Sequence, residues 1–513
     1  MTRRAFWIVL TLGAFLRLLL IWHAGLWYDE NFSLLLSRLP FMRLLAATMG
    51  DVHPPLWYVL IWPLGRIPTL PPWAIRIPSA LLSVASLALY PRLMRDLRIP
   101  GRVQLIAFVM LAILPMQLHY AQEARMYALL ELLVILGTLA VLEGRAWLLG
   151  ASVALMLYTQ NYGAFYVATL ALILAMLAIK EWWRDRSDRM AAVFSGEARN
   201  YLTVITYAAQ AMLMRRRFIR LAIAMLIGVL LWLPWLPVMS RQMDFIQGNY
   251  WIFDMNAGAI LYTIFHLFWA ISLQTPAGNV AGMLVTFALL IAAVWYLIAR
   301  RPTSWLILAC LAFGPLLMAI VVSLVRQPIV LFRPLIGSTP FLYIVCAFPL
   351  AAIPDLRGRL LAACFIAPVL LIGVIGYYQY IPMQKTINGS GNMLAAINTI
   401  RDRWQPGDLI LDGNGMGWVN ITPYLTVPQY ALPNCALKFP GGISPRTHDA
   451  LQIQSRNLDE LPPHKRIWFV AVVSPLAPAC EVARIYTVTS GRKPYLTMDE
   501  SPFLLSALWL LNE

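Results

Sequence analysis

The chain predicts a mainly α-helical, polytopic membrane protein with a small α/β domain at its C-terminal end. Three observations predict it. Hydrophobic residues fill 60% of 513 positions and charged residues only 12%, at a mean hydropathy of +0.68, where a soluble chain would carry about 25% charge. Eleven apolar runs recur before residue 382, separated by short polar or basic segments. From residue 383 onward the composition turns polar, with 11 Lys/Arg against 10 Asp/Glu, so nearly all of the net charge of +16 lies in the part before it. Two domains follow, 1–382 in the membrane and 383–513 beside it.

The excess of Lys and Arg orients the runs, because basic loops stay on the cytoplasmic side. Run 5–22 follows Arg3 and Arg4, and no small-residue cleavage site comes after it. It is expected to remain as a first helix with a cytoplasmic N-terminus. Residues 23–75 form one long external loop. Its apolar segment 55–67 is too short to span, since a span needs about 20 residues, and is expected to lie on the membrane surface. Runs 76–91, 103–118, 126–142, 146–159 and 161–179 then alternate across the membrane. They end at the strongly basic loop 180–217, with Lys180, Arg184, Arg186, Arg189, Arg199 and Arg215 to Arg217. Runs 218–238, 280–299, 304–325, 334–353 and 360–381 complete about 11 spans, leaving the C-terminus outside; stretch 258–273 is read as interfacial. A multi-pass protein of a bacterial plasma membrane, with an extracytoplasmic C-terminal domain, is the expectation.

In that domain Asn392–Trp404 has helical periodicity, 409–411 and 466–473 read as buried strands, and helices are expected around 417–426 and 448–457. Cys310, Cys346 and Cys364 lie in apolar runs and pack as small hydrophobes. Cys435 and Cys480 lie in the polar region, either as a disulfide in an oxidising compartment or as two thiols.

Four polar clusters interrupt the apolar pattern on the predicted external side. The first is Trp27-Tyr28-Asp29-Glu30, directly after the first run and ahead of an expected amphipathic helix over 31–46. Two carboxylates here either cap a helix end or form a base and its orienting partner; a carboxylate at a low-dielectric boundary is suited to take a proton from a hydroxyl. The second is Asp51-Val52-His53-Pro54-Pro55, where alternate residues of an extended backbone put Asp51 and His53 on one side. The third is His119-Tyr120-Ala121-Gln122-Glu123-Ala124-Arg125-Met126-Tyr127, in which Glu123 is a site residue or pairs with Arg125 or Arg76. Glu131, deeper in the next run, reads as a structural hydrogen-bonding group. The fourth is Arg326 with Phe332-Arg333-Pro334. Both arginines break the positive-inside bias, so they either snorkel at helix ends or bind a lipid phosphate.

The sequence carries no HExxH, CxxC or P-loop pattern and no nucleic-acid-binding motif, and its glycine run at 413–417 lacks the context of a dinucleotide fingerprint. Nucleotide-dependent chemistry and nucleic-acid partners are therefore not expected.

The strings WYDENFS, DVHPPLWYVL, IRIPSALLSVASL and HYAQEARMYAL, in this order, resemble the GT-C superfamily of membrane glycosyltransferases. The likeness is nearest to the branch holding bacterial protein O-mannosyltransferases and the aminoarabinose lipid A transferase, and runs over residues 1–355. FRPLIGSTPFLYIVCAFPLAA resembles a later arginine-bearing segment, with Pro334 where an aromatic residue is usual. The resemblance implies inverting transfer of a sugar from a polyprenyl-phosphate donor to a glycan, lipid or protein acceptor at the external membrane face. It implies Asp29 as the base with Glu30 as its partner. Asp51 and Glu123 would orient acceptor or donor sugar, and Arg125 and Arg333 would neutralise the leaving phosphate. His53, Tyr120, Gln122, Tyr127 and Arg326 complete the expected substrate-binding set. Some relatives use a divalent metal; Asp29, Glu30, Asp51 and His53 are the available ligands and the spacing leaves a metal open. The rival readings are a polyprenyl-lipid flippase, which would place polar sites on broken or repeated helices near mid-membrane, and an assembly subunit indifferent to its acidic residues.

Overall fold

In the computed structural model the apolar runs become helices that enclose one continuous core, and the C-terminal domain sits on the first loop. The structure describes the chain except residues 195–200, 249–251, 253, 271–272, 274, 303, 388–392, 414–415, 433–443, 458–459, 462–465, 474–487, 490–493, 495, 502–503 and 512–513. Cys435 and Cys480 fall outside the described residues. Among the described residues seven helices are long and apolar enough to cross a membrane: Pro72–Asp96, Gly163–Ser187, Arg215–Met243, Pro276–Arg300, Trp305–Val325, Arg333–Ala352 and Leu356–Gln379. An eighth is counted if Gly101–Ile113 and Pro115–Ala121, bent by 49° at their junction, are one broken span. The chain is a multi-pass membrane protein.

The remaining three of the eleven expected runs are helical but short. They are α1 (Arg3–Leu18), Tyr127–Glu143 and Ala146–Thr159, of 16, 17 and 14 residues. Fourteen residues rise only about 21 Å against a hydrocarbon core of about 30 Å. Apolar composition runs past the helix ends: α1 stops at Leu18, where Leu19 turns extended at φ −60°, ψ 124° and Leu20 follows at φ 56°. Among the described residues, seven or eight helices, not eleven, are thus long and apolar enough to span.

The long first loop is built of short helices, α2 (Tyr28–Arg38), α3 (Phe41–Gly50) and α4 (Leu56–Gly65), followed by a 3₁₀ turn at Pro72–Arg76. The single amphipathic helix expected over 31–46 is divided at Pro40. A residue before proline avoids the helical region, and Leu39 is extended at φ −71°, ψ 153°. Asp29 and Glu30 therefore open α2 rather than close α1, where acidic groups suit the positive end of the helix dipole.

The break after Ile113 has a definite cause. Pro115 has no N–H, so the carbonyl of Leu111 loses its helical partner. Arg17 of α1, wholly buried, fills the gap: its guanidinium donates to the carbonyl oxygens of Leu111 and Ala112 at 2.8 and 2.9 Å, to Gly13 at 3.0 Å and to Ser83 Oγ at 2.8 Å. The sequence shows neither this break nor the role of Arg17 by periodicity.

In the C-terminal domain, β1 (Leu409–Asp412), β2 (Gln429–Ala431), β3 (Ile467–Val473), β4 (Leu496–Ser501) and β5 (Leu504–Leu511) form one sheet of order β2-β1-β3-β5-β4. β1 lies parallel to β2 and β3, and β5 runs antiparallel to β3 and β4. Alternate residues face opposite sides: Ile410, Trp468, Val470 and Leu508 pack with Ile397 and Ile400 of helix Met393–Arg403, while Leu409, Leu411, Phe469 and Trp509 fill the other face. Short helices Met416–Ile421 and Pro445–Leu451 attach the domain to the loop. Asn31 donates to Asn420 Oδ1 at 3.0 Å, Arg38 to the carbonyl of Pro423 at 3.2 Å, and Thr447 to the carbonyl of Ala47 at 3.0 Å.

Candidate active site

The start of α2 carries Asp29 and Glu30, and the helix turns them to different neighbours. Consecutive residues are rotated by about 100°. Glu30 points inward, wholly buried, and takes a two-pronged ion pair from Arg76 at 2.7 and 2.8 Å. It also accepts from the backbone N–H of Ala124 at 3.0 Å and of Trp27 at 3.3 Å. Arg76 in turn donates to the carbonyls of Ile21, Ala24 and Gly25. Glu30 thus ties together the end of α1, the start of α2 and the 122–126 segment. Asp29, 27% exposed in its side chain, stands between two guanidiniums, 3.6 Å from Arg125 and 3.9 Å from Arg333.

Arg125 is the hub of a chain of polar contacts. It donates to Tyr58 Oη at 3.3 Å, Tyr58 donates to Asp51 Oδ2 at 2.9 Å, and His53 Nδ1 lies 3.3 Å from the same oxygen. Both ring nitrogens of His53 are 3.4 Å from Arg125 Nη2. Burial pushes the Asp51 carboxyl up, but the hydrogen bond and charge of His53 and the charge of Arg125 outweigh it and hold Asp51 below the ordinary carboxylate value. Burial likewise opposes the charge of Arg125, yet Asp29 and the polar neighbours around it keep that guanidinium firmly protonated. Its backbone is fixed too: Trp57 Nε1 donates to the carbonyl of Ala124 at 3.1 Å, and Ser79 Oγ to that of Arg125 at 3.3 Å.

Arg333 stacks over the ring of Trp27, 5.1 Å from its centroid, and lies in the field of Tyr120, Tyr127, Glu123 and Asp29. Tyr120 and Tyr127 meet edge to face at 4.7 Å. Glu123 pairs with His119 at 3.0 Å, not with Arg125 or Arg76. Tyr120 Oη, Glu123 Oε1, His119 Nδ1 and Arg125 Nε are buried without a hydrogen-bond partner. Such groups are costly in a closed core.

Two expected site residues lie apart. Gln122 closes the end of α1, donating to the carbonyls of Leu16, Arg17 and Leu19, and accepts from Tyr377. Arg326 caps helix Trp305–Val325, is exposed, and makes no ion pair among the described residues. Residues the sequence reading passed over are Tyr58, which links Asp51 to Arg125, and His266, stacked on Phe332 beside Arg333 at 4.8 Å. The signal for Tyr58 was its place one turn into the helix that Pro54 and Pro55 launch.

No three His, Cys, Asp or Glu side chains converge as metal ligands among the described residues. Arg76 occupies Glu30 and two arginines flank Asp29, which leaves Asp51 and His53 as an adjacent donor pair. A divalent ion would need its other ligands from water or substrate.

No protein-family model and no curated protein matches the chain by sequence. Solved structures do match it. ArnT from Cupriavidus metallidurans in the apo state superposes with a TM-score of 0.54 at 14% identity, covering 98% of this chain and 97% of that one. The same protein bound to undecaprenyl phosphate gives 0.54 at 13% identity, with 98% and 97% covered. An oligosaccharyltransferase from Archaeoglobus fulgidus, in a complex with Zn and sulfate, gives 0.48 at 12% identity, covering 91% of this chain and 67% of that one. Over nearly its whole length, the chain has the fold of ArnT.

Proposed function

We propose that the protein is an inverting glycosyltransferase that moves a sugar from a polyprenyl-phosphate carrier to an acceptor hydroxyl at the external face of a bacterial plasma membrane. The observation that carries this reading is the position of Asp29. Of the acids in the cluster, Glu30 is locked by Arg76, Glu123 by His119 and Asp51 by Tyr58 and His53; Asp29 is part-exposed and held loosely between two arginines.

In this mechanism the lipid-linked phosphate displaces Asp29 from Arg125 and Arg333 and binds both guanidiniums, which suit its oxygens. The acceptor hydroxyl oxygen attacks the anomeric carbon and gives its proton to Asp29. The bond from that carbon to the phosphate oxygen breaks with inversion, and the electron pair leaves on the polyprenyl phosphate, whose charge the two arginines stabilise. The open polar atoms of Tyr120, Glu123 and Arg125 are placed to fix the sugar. That ArnT has been crystallised with undecaprenyl phosphate supports a lipid-phosphate donor.

The test is transfer from a radiolabelled undecaprenyl-phosphate sugar in membranes, comparing the native protein with Asp29→Asn. Activity is expected to fall by about 10²- to 10⁴-fold, the usual contribution of a general base, with donor binding retained. Full activity in the variant would move the base elsewhere; no transfer with any donor would favour a lipid carrier.

A further inference from the structure

Away from Asp29, on the other side of α2, the C-terminal domain and the helix enclose a cleft of about 730 Å³. Leu35, Arg38 and Leu39 form one wall; Trp418, Thr422 and the turn after helix Pro445–Leu451 form the other. The volume falls within the range of small-molecule sites. We propose that this cleft binds a saccharide chain: the part of the acceptor remote from its reacting hydroxyl. This inference rests on the transferase reading above.

The lining chemistry selects the ligand. Asp449, Gln452 and Gln454 offer a carboxylate and two amides, and Thr422, whose O–H is given to the carbonyl of Trp418, an acceptor oxygen; these groups match the mixed donors and acceptors of sugar hydroxyls. Trp418 and Leu35 add apolar surface of the kind that covers the C–H face of a sugar ring. Arg38 is the one arginine or lysine in the lining and gives one N–H to the carbonyl of Pro423, while His448 stands 3.8 Å from the carboxylate of Asp449, so the cleft does not gather positive charge as a phosphate site does. Gln452 sits in the left-handed region, at φ 58° and ψ 39°, a conformation disfavoured for any residue with a Cβ. That turn leaves Gln452 and Gln454 both exposed with Ile453 buried between them.

Helix geometry decides which part of an acceptor the cleft holds. Arg38 follows Asp29 by nine residues, which is two and a half turns, about 13 Å along α2 and on its opposite side. The reacting hydroxyl therefore cannot sit in the cleft, and the thickness of α2 separates the two places. A site of this kind adds affinity for longer acceptors without touching the reacting atoms, so it acts on acceptor KM.

The experiment uses the full-length protein in detergent and titrates mannotetraose, cellotetraose and an arabinofuranose tetrasaccharide by saturation-transfer NMR and calorimetry. The controls are inorganic phosphate, a flexible peptide and phosphatidylglycerol vesicles. At least one tetrasaccharide is expected to bind. Asp449→Asn with Gln452→Ala, both exposed positions, is expected to weaken it about ten-fold or more with no change in Tm, as the loss of a hydrogen bond to a charged group implies. In transfer assays the same variant is expected to lose the preference for longer over shorter acceptors. Absence of tetrasaccharide binding, equal binding by the variant, or binding of peptide or vesicles at these residues instead would each overturn the proposal. Binding without transfer from any lipid-linked donor would support the cleft while overturning the transferase reading; transfer without binding would overturn the cleft alone.

Discussion

Asp29 and Glu30 are neighbours in sequence and opposites in environment, and the reason is helix phase. The one is part-exposed between Arg125 and Arg333; the other is buried against Arg76 and accepts from the backbone of Trp27 and Ala124 as well. The sequence marked both because two acids at a membrane edge are costly, but it did not carry the 100° rotation that separates them. It did bring Asp51, His53, Arg125 and Arg333 into one neighbourhood, because polar residues between apolar runs have only the loop surface to occupy. Gln122 was drawn into the same set by adjacency, yet its side chain turns back to α1. Glu30→Gln leaves a buried guanidinium without its counter-charge, which costs about 3–5 kcal/mol. Its thermal midpoint is expected to drop well below that of Asp29→Asn in the same detergent; equal midpoints would show that the Arg76 pair does not hold the loop.

At the scale of elements, prolines set the boundaries that hydropathy blurs. Pro40 separates α2 from α3, and Pro115 bends the helix that delivers residues 119–125 to the site. Apolar composition alone reads through both, which is why 31–46 and 103–118 were expected to be continuous. A broken helix is also what a transporter would show, but here its freed carbonyls are taken by Arg17 and not left facing a cavity. Pro115→Ala restores an N–H that competes with Arg17 for the Leu111 carbonyl and straightens the bend. A displacement of about 1 Å at the site is enough to lower turnover by ~10²-fold. That loss is expected with helical content by circular dichroism unchanged; native turnover in the variant would show that the bend does not position the site.

For the whole molecule, a polar C-terminal part was legible because composition changes there, and β1 and β3 because each is a short apolar run bounded by turn residues or charge. β5 was not: LLSALWLL is apolar without alternation, and such a run fits a buried helix as well as a strand. Nothing in the sequence showed that the domain sits on α2 and α3. The contact is close. A Cβ on Gly50 would lie 2.6 Å from Ser444 Oγ, 2.7 Å from Thr447 Oγ1 and 3.1 Å from Arg446 Cβ. Gly50→Leu is therefore expected to wedge the domain off the loop, at about 1–3 kcal/mol for overpacking, and to speed release of a C-terminal fragment in limited proteolysis. An unchanged cleavage rate would mean that the two parts are held elsewhere.

Arg17 carries one more consequence, for the order in which the chain is made. Its acceptors at Leu111 and Ala112 lie 94 and 95 residues downstream. At synthesis rates of about 5–20 residues per second, α1 precedes them by roughly 5–20 s. For that interval Arg17 has only the Gly13 carbonyl of its own helix and then Ser83 Oγ to donate to, and an insertion scale charges an arginine about 2.5–3.5 kcal/mol near mid-bilayer. Release of α1 into lipid is thus unfavourable until the proline-broken segment arrives, and the two leave the insertion machinery best as a pair.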